Sequence, residues 1–511
     1  TEDERMGISD WRELPEISGT KWDSTRFRRD STNSPYGQFD IIPTVKDSEL
    51  HKTFALTDSS GEFEIFPADD PKCQIILNNS SCIVPDTITK RYNMNSERWI
   101  YSRLKRDNLF LTFDYDLSSN LTFFSDVLYY KSDTIQNNSP SAAFSTSRII
   151  VPANNYWNPF GPVNFNDGRA NPNRVRLNIA GQDISQSIPD DGLPILIDWY
   201  RYVDVGPRVV NVEKDTYRFL FGLRGASKNW RWETAIFTSK ANTDDITSNR
   251  LSNSLVEEAL SLSTPDAYNP FNGGGNYINY LSTGNDGTPS TNSSIKNAII
   301  DVYRKGERKL NSFDFKITND SILSIKSGKI SFAGGLEFRS DKFTDDRDPR
   351  LDGTIKYIDK DGDTYPFVSD VMNSSPTPDN SGKRDVFSAY AEFLVPLISE
   401  EMNLFFAKSM NLQIAGRFED FSDVGSKSVP KIAIGWEVNK NLFIRGSLSK
   451  GFRVPNLVQI NESIVSRQLS RDDAYLCLQQ IRAQGAIDDC DYSIQRVAQG
   501  SKALKPENST N

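Results

Sequence analysis

The chain has 511 residues, a formal net charge of −9 and an aromatic content of 11%. The negative charge disfavours nucleic acid as a partner, because proteins that bind nucleic acid carry basic surfaces. The aromatic content disfavours a disordered chain, and no apolar run approaches the roughly 20 residues of a membrane-spanning helix. A single histidine disfavours most catalytic triads and metal centres, so the sequence predicts neither an enzyme nor a cofactor.

The four cysteines form two pairs that are close in sequence. Cys73 and Cys82 lie near the start of the chain, and Cys477 and Cys490 lie in a long polar stretch near its end. Local pairing in an oxidising compartment predicts two disulfides, each of which would restrain a loop. Zinc binding is the alternative, but the chain has one histidine and no Cys-x-x-Cys spacing.

From residue 97 onwards, runs of alternating apolar and polar residues predict antiparallel strands. The runs are 99–117, 121–131, 208–225, 230–240, 309–318, 329–342 and 384–397, followed by three more between 411 and 457. One face of these runs is predicted to be charged and includes Arg218, Arg224, Arg231, Glu233, Glu337, Arg339, Glu392, Arg417, Glu419, Glu437 and Arg445. The other face is predicted to be apolar and includes Leu111, Phe113, Phe219, Phe221, Phe332, Phe393, Ile432 and Trp436.

Short and long connections alternate between these runs. The short ones are 118–120, 227–229 and 439–440, and the long ones are 132–207, 241–308, 343–383 and 456–504. Antiparallel strands place successive connections at opposite ends of a sheet, so the short turns share one end and nearly all the long loops share the other. Outer-membrane barrels have this asymmetry, whereas a compact soluble domain rarely has several connections of this length. The predicted fold class is therefore all-β, an antiparallel transmembrane β-barrel.

The long loops contain three further features. Aromatic residues there could stack on a ligand or merely anchor the loops; they are Tyr156, Trp157, Phe160, Tyr268, Phe271, Tyr277 and Tyr280. The segment Asp359–Asp363 could hold a calcium ion, but it lacks the spacing of an EF-hand and an acidic turn is the favoured interpretation. Short helices are predicted at 255–262 and 471–484.

Three segments resemble TonB-dependent outer-membrane receptors. They are GRFEDFSDVG at Gly416–Gly425, GSLSKGFRVPNL at Gly446–Leu457 and LKPENSTN at Leu504–Asn511, and they occur in the order and with the spacing of that family. Asn-Pro-Phe segments at Asn158–Gly161 and Tyr268–Asn272 are similar to a motif in the long loops of many such receptors.

The resemblance implies an importer in the outer membrane of a Gram-negative bacterium. Such receptors have a plugged barrel of about 22 strands, of which about 10–12 would lie in this chain, with long extracellular loops and short periplasmic turns. We expect an extracellular loop region with partial strands at 1–96 and an incomplete barrel at 97–511. Uptake would be driven by the TonB–ExbB–ExbD complex through a plug and a TonB box, which are not recognisable here. The ligand would be a small scarce molecule such as a siderophore, haem, cobalamin or a glycan; the alternative function is a soluble or surface-attached β-rich carbohydrate-binding protein.

Overall fold

The computed structural model describes residues 31–41, 62–77, 81–84, 90–94, 97–175, 178–179, 182–183, 188–273, 276–278, 283–285, 293–405, 407–472, 474–484 and 491–511. The strands before residue 202 are β1 Gln38–Ile41, β2 Glu62–Pro67, β3 Ile75–Ile76, β4 Ser81–Val84, β5 Arg103–Ser118, β6 Leu121–Asn138, β7 Ala142–Phe144, β8 Ile150–Val151, β9 Asn178–Ile179, β10 Gln182–Asp183 and β11 Ile195–Arg201.

The later strands are longer on average. They are β12 Arg208–Ser227, β13 Trp230–Leu251, β14 Asn276–Ile278, β15 Thr283–Asn285, β16 Ile299–Ile325, β17 Gly328–Arg347, β18 Asn380–Ile398, β19 Ser409–Phe421, β20 Gly425–Asn439, β21 Leu442–Arg453, β22 Val465–Asp472, β23 Asp491–Ala498 and β24 Glu507–Thr510. The α-helices are α1 Asn253–Leu260, α2 Ser293–Lys296, α3 Pro349–Asp352, α4 Leu457–Asn461 and α5 Ala474–Gln484.

Eleven strands form one large antiparallel sheet. Its order is β24-β21-β20-β19-β18-β17-β16-β13-β12-β6-β5, so almost every strand pairs with its neighbour in the sequence. The predicted all-β antiparallel architecture is confirmed. Helices lie where two were predicted, at α1 and α5. None of the helices in the described ranges is long and apolar enough to cross a membrane.

The strands extend well beyond the predicted runs. The run predicted at 309–318 lies inside β16, which has 27 residues. A barrel strand needs only about 9–11 residues to cross a bilayer, so the remainder of β16 need not present an apolar face. The sequence predicts loops at residues 299–308 and at the end of β17, because no regular alternation of apolar and polar residues is visible there.

The connections follow the predicted asymmetry with two differences. Two-residue turns join β5 to β6, β12 to β13, β16 to β17 and β20 to β21. The last of these turns is Lys440–Asn441, one residue later than predicted, and the Asn441 N–H donates to Asn439 Oδ1 over 2.9 Å. The connection from β18 to β19 is longer at this end, and the connection from β19 to β20 at the opposite end is only Ser422–Val424.

The long connections pack into a folded unit, which we call the head. It comprises the described parts of 31–94, 139–207, 251–298 and 349–379, which share one buried apolar core. Strands β1, β2, β3, β4, β7, β8 and β11 form a second sheet within it. The sequence predicts separate loops here, because the core residues of each segment are too few and too scattered to suggest a common core.

The first predicted disulfide is present in the head. Cys73 and Cys82 are bonded, with their Cα atoms 5.7 Å apart. Cys82 is buried beside Phe66 and Val84 in a small second apolar cluster. Cys490 lies outside the described residues, so the pairing of Cys477 with Cys490 stays a prediction.

Candidate functional site

The large sheet has one apolar and one charged face, as predicted. Cross-strand partners in an antiparallel sheet share a face, and the pairings Arg224 with Glu233, and Ser388 with Glu337 and Glu419, keep charged and polar groups together. On the other face, Phe313 pairs with Phe338 and Phe338 with Phe387. The sheet therefore separates an apolar surface from a surface rich in ions.

The charged face contains a network that crosses three strands. Arg417 of β19 reaches past β18 to Glu337 of β17, with 3.3 Å between Nη2 and Oε2. Arg417 also contacts Glu419, and Arg339 contacts Glu337 over 3.4 Å. Opposite charges next to each other attract. Each exposed ion pair of this kind contributes less than about 1 kcal/mol to the stability of the fold. This face is thus suited to a hydrated interior rather than to an apolar environment.

A cavity of about 480 Å³ lies at the loop end of the charged face. Its floor is formed by strands β12, β13, β16 and β17, and its wall by residues 377–380 together with α4 and the segment that follows it. The residues that give it chemical character are Lys214, Asp245, Arg304, Arg308, Phe343, Asp345, Arg347, Val458 and Glu462. We call this the upper cavity; a concave site with both apolar and convergent polar groups is the usual form of a small-molecule site.

The arginines of the upper cavity are held in fixed orientations. Arg304 donates from Nε and Nη2 to the two oxygens of Asp345 over 2.7 and 2.9 Å. Arg347 donates to the same carboxylate over 2.8 Å, and Arg308 donates to Asp341 over 2.8 Å. Guanidinium groups fixed by two-point contacts present their remaining N–H donors in a defined plane. The cavity can therefore offer oriented donors to an acceptor on a ligand.

Most of the upper cavity is not evident from the sequence. Arg304 and Arg347 fell in stretches assigned to loops, so neither was placed on the charged face. A signal was nevertheless present, because Arg304, Arg308 and Ser312 continue the period-two spacing of the charged positions of β16. Only the cross-strand register shows that these arginines share one surface with Asp345.

Three of the aromatic loop residues, for which ligand stacking and loop anchoring are the two alternatives, are buried in the head. Phe160, Tyr268 and Phe271 belong to its apolar core. In both Asn-Pro-Phe segments, the asparagine Oδ1 accepts the backbone N–H of the phenylalanine, over 2.8 Å in the first and 3.0 Å in the second. This side-chain-to-backbone bond closes a turn that directs the phenylalanine inward, so the motif anchors the loops. Tyr156 and Trp157 are half-buried, and the side chains of Tyr277 and Tyr280 lie outside the described residues.

The acidic segment at 359–363 forms a turn. Asp359 Oδ1 accepts the backbone N–H groups of Asp361 and Asp363 over 3.0 and 2.9 Å, and its Oδ2 accepts the Tyr365 hydroxyl over 2.9 Å. Both oxygens of this carboxylate are thus used within the turn. Across the described ranges, no group of three His, Cys, Asp or Glu side chains is placed to hold a metal ion.

Two partly buried carboxylates lie where segments of the head meet. Burial raises the pKa of Glu257 to about 7, and that of Asp204 to about 6. The Tyr357 hydroxyl donates to Glu257 over 2.7 Å, and the Tyr268 hydroxyl donates to Asp204 over 3.1 Å. Asp359 and Lys360 also lie near Glu257: the negative charge of Asp359 raises the pKa of Glu257, and the positive charge of Lys360 lowers it. Each of these two carboxylate side chains therefore links two segments of the head, and the folded head favours its protonated form.

These raised pKa values predict that the head is more stable at acidic pH. Both groups bind a proton more tightly in the folded head than in the unfolded chain, so the stabilisation is complete below about pH 4 and is lost as pH rises through about 6 to 7. We expect E257Q to remove much of this dependence. The quantity to measure is the rate of amide hydrogen exchange of α1 in the wild type divided by the rate in E257Q. This ratio should be about tenfold higher at pH 8 than at pH 5.

The neighbouring exposed Glu258 provides the matched control. E258Q should leave the pH dependence of exchange unchanged. Dividing the exchange rates of two proteins at the same pH removes the intrinsic pH dependence of the exchange reaction. If the ratio of the wild-type rate to the E257Q rate were the same at every pH, the folded head would not raise the pKa of Glu257, and the prediction would be wrong.

Comparisons with known proteins identify the family. Residues 188–511 match the family model described as TonB dependent receptor-like, beta-barrel. No curated protein matches the chain.

Several solved structures are similar to the chain at low identity. The siderophore receptor PirA from Acinetobacter baumannii is 14% identical, with 88% of this chain and 46% of that chain covered and a TM-score of 0.38. The ferripyoverdine receptor of Pseudomonas aeruginosa is 10% identical, with 85% and 56% covered and a TM-score of 0.37. The RagAB peptide importer is 11% identical, with 92% and 46% covered and a TM-score of 0.39. The chain spans about half the length of these solved chains.

The family match covers more than half of the chain and includes nine strands of the large sheet, from β12 to β24. It also includes the segments at 416–425, 446–457 and 504–511 that resemble the family in sequence. The chain therefore belongs to the TonB-dependent receptor β-barrel family.

Proposed function

We propose that this chain forms part of an outer-membrane receptor that imports a small scarce ligand into a Gram-negative bacterium. The observation that carries the proposal is the pairing of one continuous apolar sheet face with an opposite charged face that bears the upper cavity. Lipid would cover the apolar face, and the hydrated interior would take the charged face. The TonB–ExbB–ExbD complex would supply the energy, as the family membership suggests.

The ligand would bind in the upper cavity. Its lining combines fixed arginines and carboxylates with Phe343, Val458 and Val465, which suits a ligand with both polar acceptors and an apolar body. A siderophore, haem, cobalamin or a glycan each has this mixed character. The proposal is for binding and transport without catalysis.

A soluble or surface-attached carbohydrate-binding protein is the alternative function. A soluble sheet would have to cover its apolar face, since large exposed apolar patches are rare on soluble monomers. Phe338, Ile432 and Leu448 are instead 52%, 47% and 59% exposed on that face. This exposure favours the membrane protein.

Fractionation of cells that express the complete gene product tests the location. We expect the protein in the outer-membrane fraction, soluble only with detergent, and with a gel mobility that changes on heating. Recovery from a detergent-free soluble fraction would contradict the membrane assignment and favour the carbohydrate-binding alternative.

Substitution G306W tests the cavity. A Cβ atom on Gly306 would approach no atom closer than 3.8 Å, so an indole can occupy the upper cavity without moving the strands. We expect uptake to fall by about tenfold or more, because a filled site excludes the ligand. Uptake is measured as the loss of small molecules from the medium, followed by mass spectrometry. The molecules of interest are those that the wild-type strain removes and that strains lacking this gene or tonB do not remove.

Gly416 provides the matched control on the apolar face. A Cβ atom there would meet no atom within 4 Å, so G416W adds the same side chain away from the cavity and should take up ligand like the wild type. Normal uptake by G306W would place the ligand elsewhere. Equal depletion of the medium by all strains would contradict the import function itself.

A further inference from the structure

The charges around the upper cavity balance. Its positive groups are Lys214, Arg304, Arg308 and Arg347. The carboxylates that line the cavity or contact these arginines are Asp245, Asp341, Asp345 and Glu462. Glu307 also borders the cavity, but its carboxylate contacts Lys309, which lies on the opposite face of β16 from Arg308. A ligand with several negative charges would therefore find no surplus of positive charge in this cavity.

The arginines of the upper cavity already have carboxylate partners. Arg304 and Arg347 share Asp345, over 2.7 and 2.8 Å. Arg308 contacts Asp341 over 2.8 Å. Opposite charges at such distances largely cancel each other's attraction for a third charge. The arginines can still donate N–H groups to an acceptor on the ligand, but they supply little net attraction for an anion.

Two carboxylates of the upper cavity are left without a counter-charge. Asp245 lies opposite Arg304 in the register of β13 and β16, but Arg304 donates to both oxygens of Asp345 instead. Within the described ranges, neither Asp245 nor Glu462 forms an ion pair or a side-chain hydrogen bond. Carboxylates form their strongest hydrogen bonds with positively charged donors, so these two groups can accept a cationic group from a ligand.

The two carboxylates border the same space from different sides. Asp245 belongs to the floor of the upper cavity, and Glu462 belongs to its wall. Gly306 is the diagonal neighbour of Asp245 across the two strands, and a Cβ atom added to it would approach no atom closer than 3.8 Å. The space beside the Asp245 carboxylate is therefore open, and Val458 of the wall adds an apolar surface to it.

We propose that the ligand of the upper cavity carries a positively charged amine, which Asp245 and Glu462 bind from the floor and the wall. This inference rests on the proposed function, because it names the chemistry of the ligand that the receptor imports. An ammonium group offers up to three N–H donors and no acceptor, which matches two carboxylates that lack donors. Lys214 and the N–H groups of the arginines remain for the polar acceptors of the ligand. The ligand is therefore an amine-bearing molecule rather than a chelate with several negative charges.

The experiment repeats the uptake measurement with three forms of the medium. One form is untreated, one has its amines acetylated, and one has its amines reductively dimethylated, with the reagents removed. Both treatments modify the same amines, but acetylation abolishes their positive charge and dimethylation keeps it. We expect cells with the complete receptor to remove the dimethylated compounds at least about tenfold faster than the acetylated ones, because only a charged amine pairs with carboxylates.

A variant that combines D245N and E462Q identifies the residues responsible. Its rate for dimethylated compounds divided by its rate for acetylated compounds should fall to about one, and this ratio does not depend on how much receptor reaches the membrane. D245E keeps the charge and should keep the preference. The matched control combines E233Q and E437Q, which remove two carboxylates of the charged face near the short turns, and it should behave like the wild type.

Three results would overturn the inference. They are equal removal of acetylated and dimethylated compounds by the wild type, removal from the untreated medium of compounds that contain no amine, and an unchanged preference in the variant that combines D245N and E462Q. Each of these results leaves the import function in place. Failure of the proposed function looks different, because no compound would then be removed from the untreated medium in a manner that depends on this gene and on tonB.

Discussion

Substitution D370A should weaken the attachment of α1 to the segment 349–379 within the head. The Asp370 side chain is completely buried and accepts from Ser252 Oγ over 2.8 Å, from Ser254 N over 2.9 Å and from Ser254 Oγ over 2.6 Å. It also forms an ion pair with Arg350. Removal of the carboxylate loses these three charge-assisted hydrogen bonds and the ion pair together, at a cost of about 3–5 kcal/mol. Hydrogen exchange of α1 should show a loss of local stability of this size.

Two further variants identify the cause of that loss. R350M leaves the serine bonds to Asp370 in place, and we expect a smaller loss of about 1–3 kcal/mol. D361A removes an exposed carboxylate from the same segment. This carboxylate lies 3.9 Å from the Lys360 ammonium group, and its loss should have no measurable effect on the hydrogen exchange of α1. Unchanged exchange in D370A would show that the segments are joined chiefly by the apolar core.

Substitution F271A should destabilise the whole head. Phe271 is 1% exposed, and its ring lies 4.9 Å from that of Phe39. Phe39 stacks on Phe63, and Phe63 meets Phe160 edge to face, both at 5.5 Å, so this chain of rings joins three of the four segments. A buried Phe→Ala change costs about 3–5 kcal/mol, because a cavity remains. Limited proteolysis in the folded receptor should then cleave the head at least about a hundredfold faster.

The matched control is F405A. Phe405 is fully exposed in the connection between β18 and β19, so the same truncation should leave proteolysis of the head unchanged. F160A, which removes the corresponding ring of the other Asn-Pro-Phe segment, should resemble F271A. Slow cleavage of both core variants would show that the strands of the large sheet, rather than the aromatic core, hold the head together.

The large sheet could be predicted because one physical rule acts along each strand. Alternation of apolar and polar residues gives the faces of β12, β18 and β20, and the short turns fix which ends meet. The rule weakens where strands leave the apolar band: in the first ten residues of β16, only the even spacing of Arg304 and Arg308 marks the charged face. The meeting of Arg304 and Arg347 across β16 and β17 depends on the register between strands, which a single sequence does not reveal.

The head could not be predicted for a different reason. Its core combines residues that are far apart in the chain, such as Phe39, Tyr200, Tyr268 and Tyr357. No local period marks such residues, and an aromatic residue in a loop has the same composition whether it anchors the loop or contacts a ligand. The structure favours anchoring, because in both Asn-Pro-Phe segments the asparagine side chain accepts the backbone N–H of the phenylalanine.

The shared core also bears on how the outer surface of such a receptor can be altered. Each of the four segments of the head contributes only part of the apolar surface that the others need to exclude water. A single segment transplanted into a different receptor would arrive without most of its packing partners and would leave a gap in the donor. Exchange of binding properties between receptors of this kind should therefore require all four segments to move together as one inherited block.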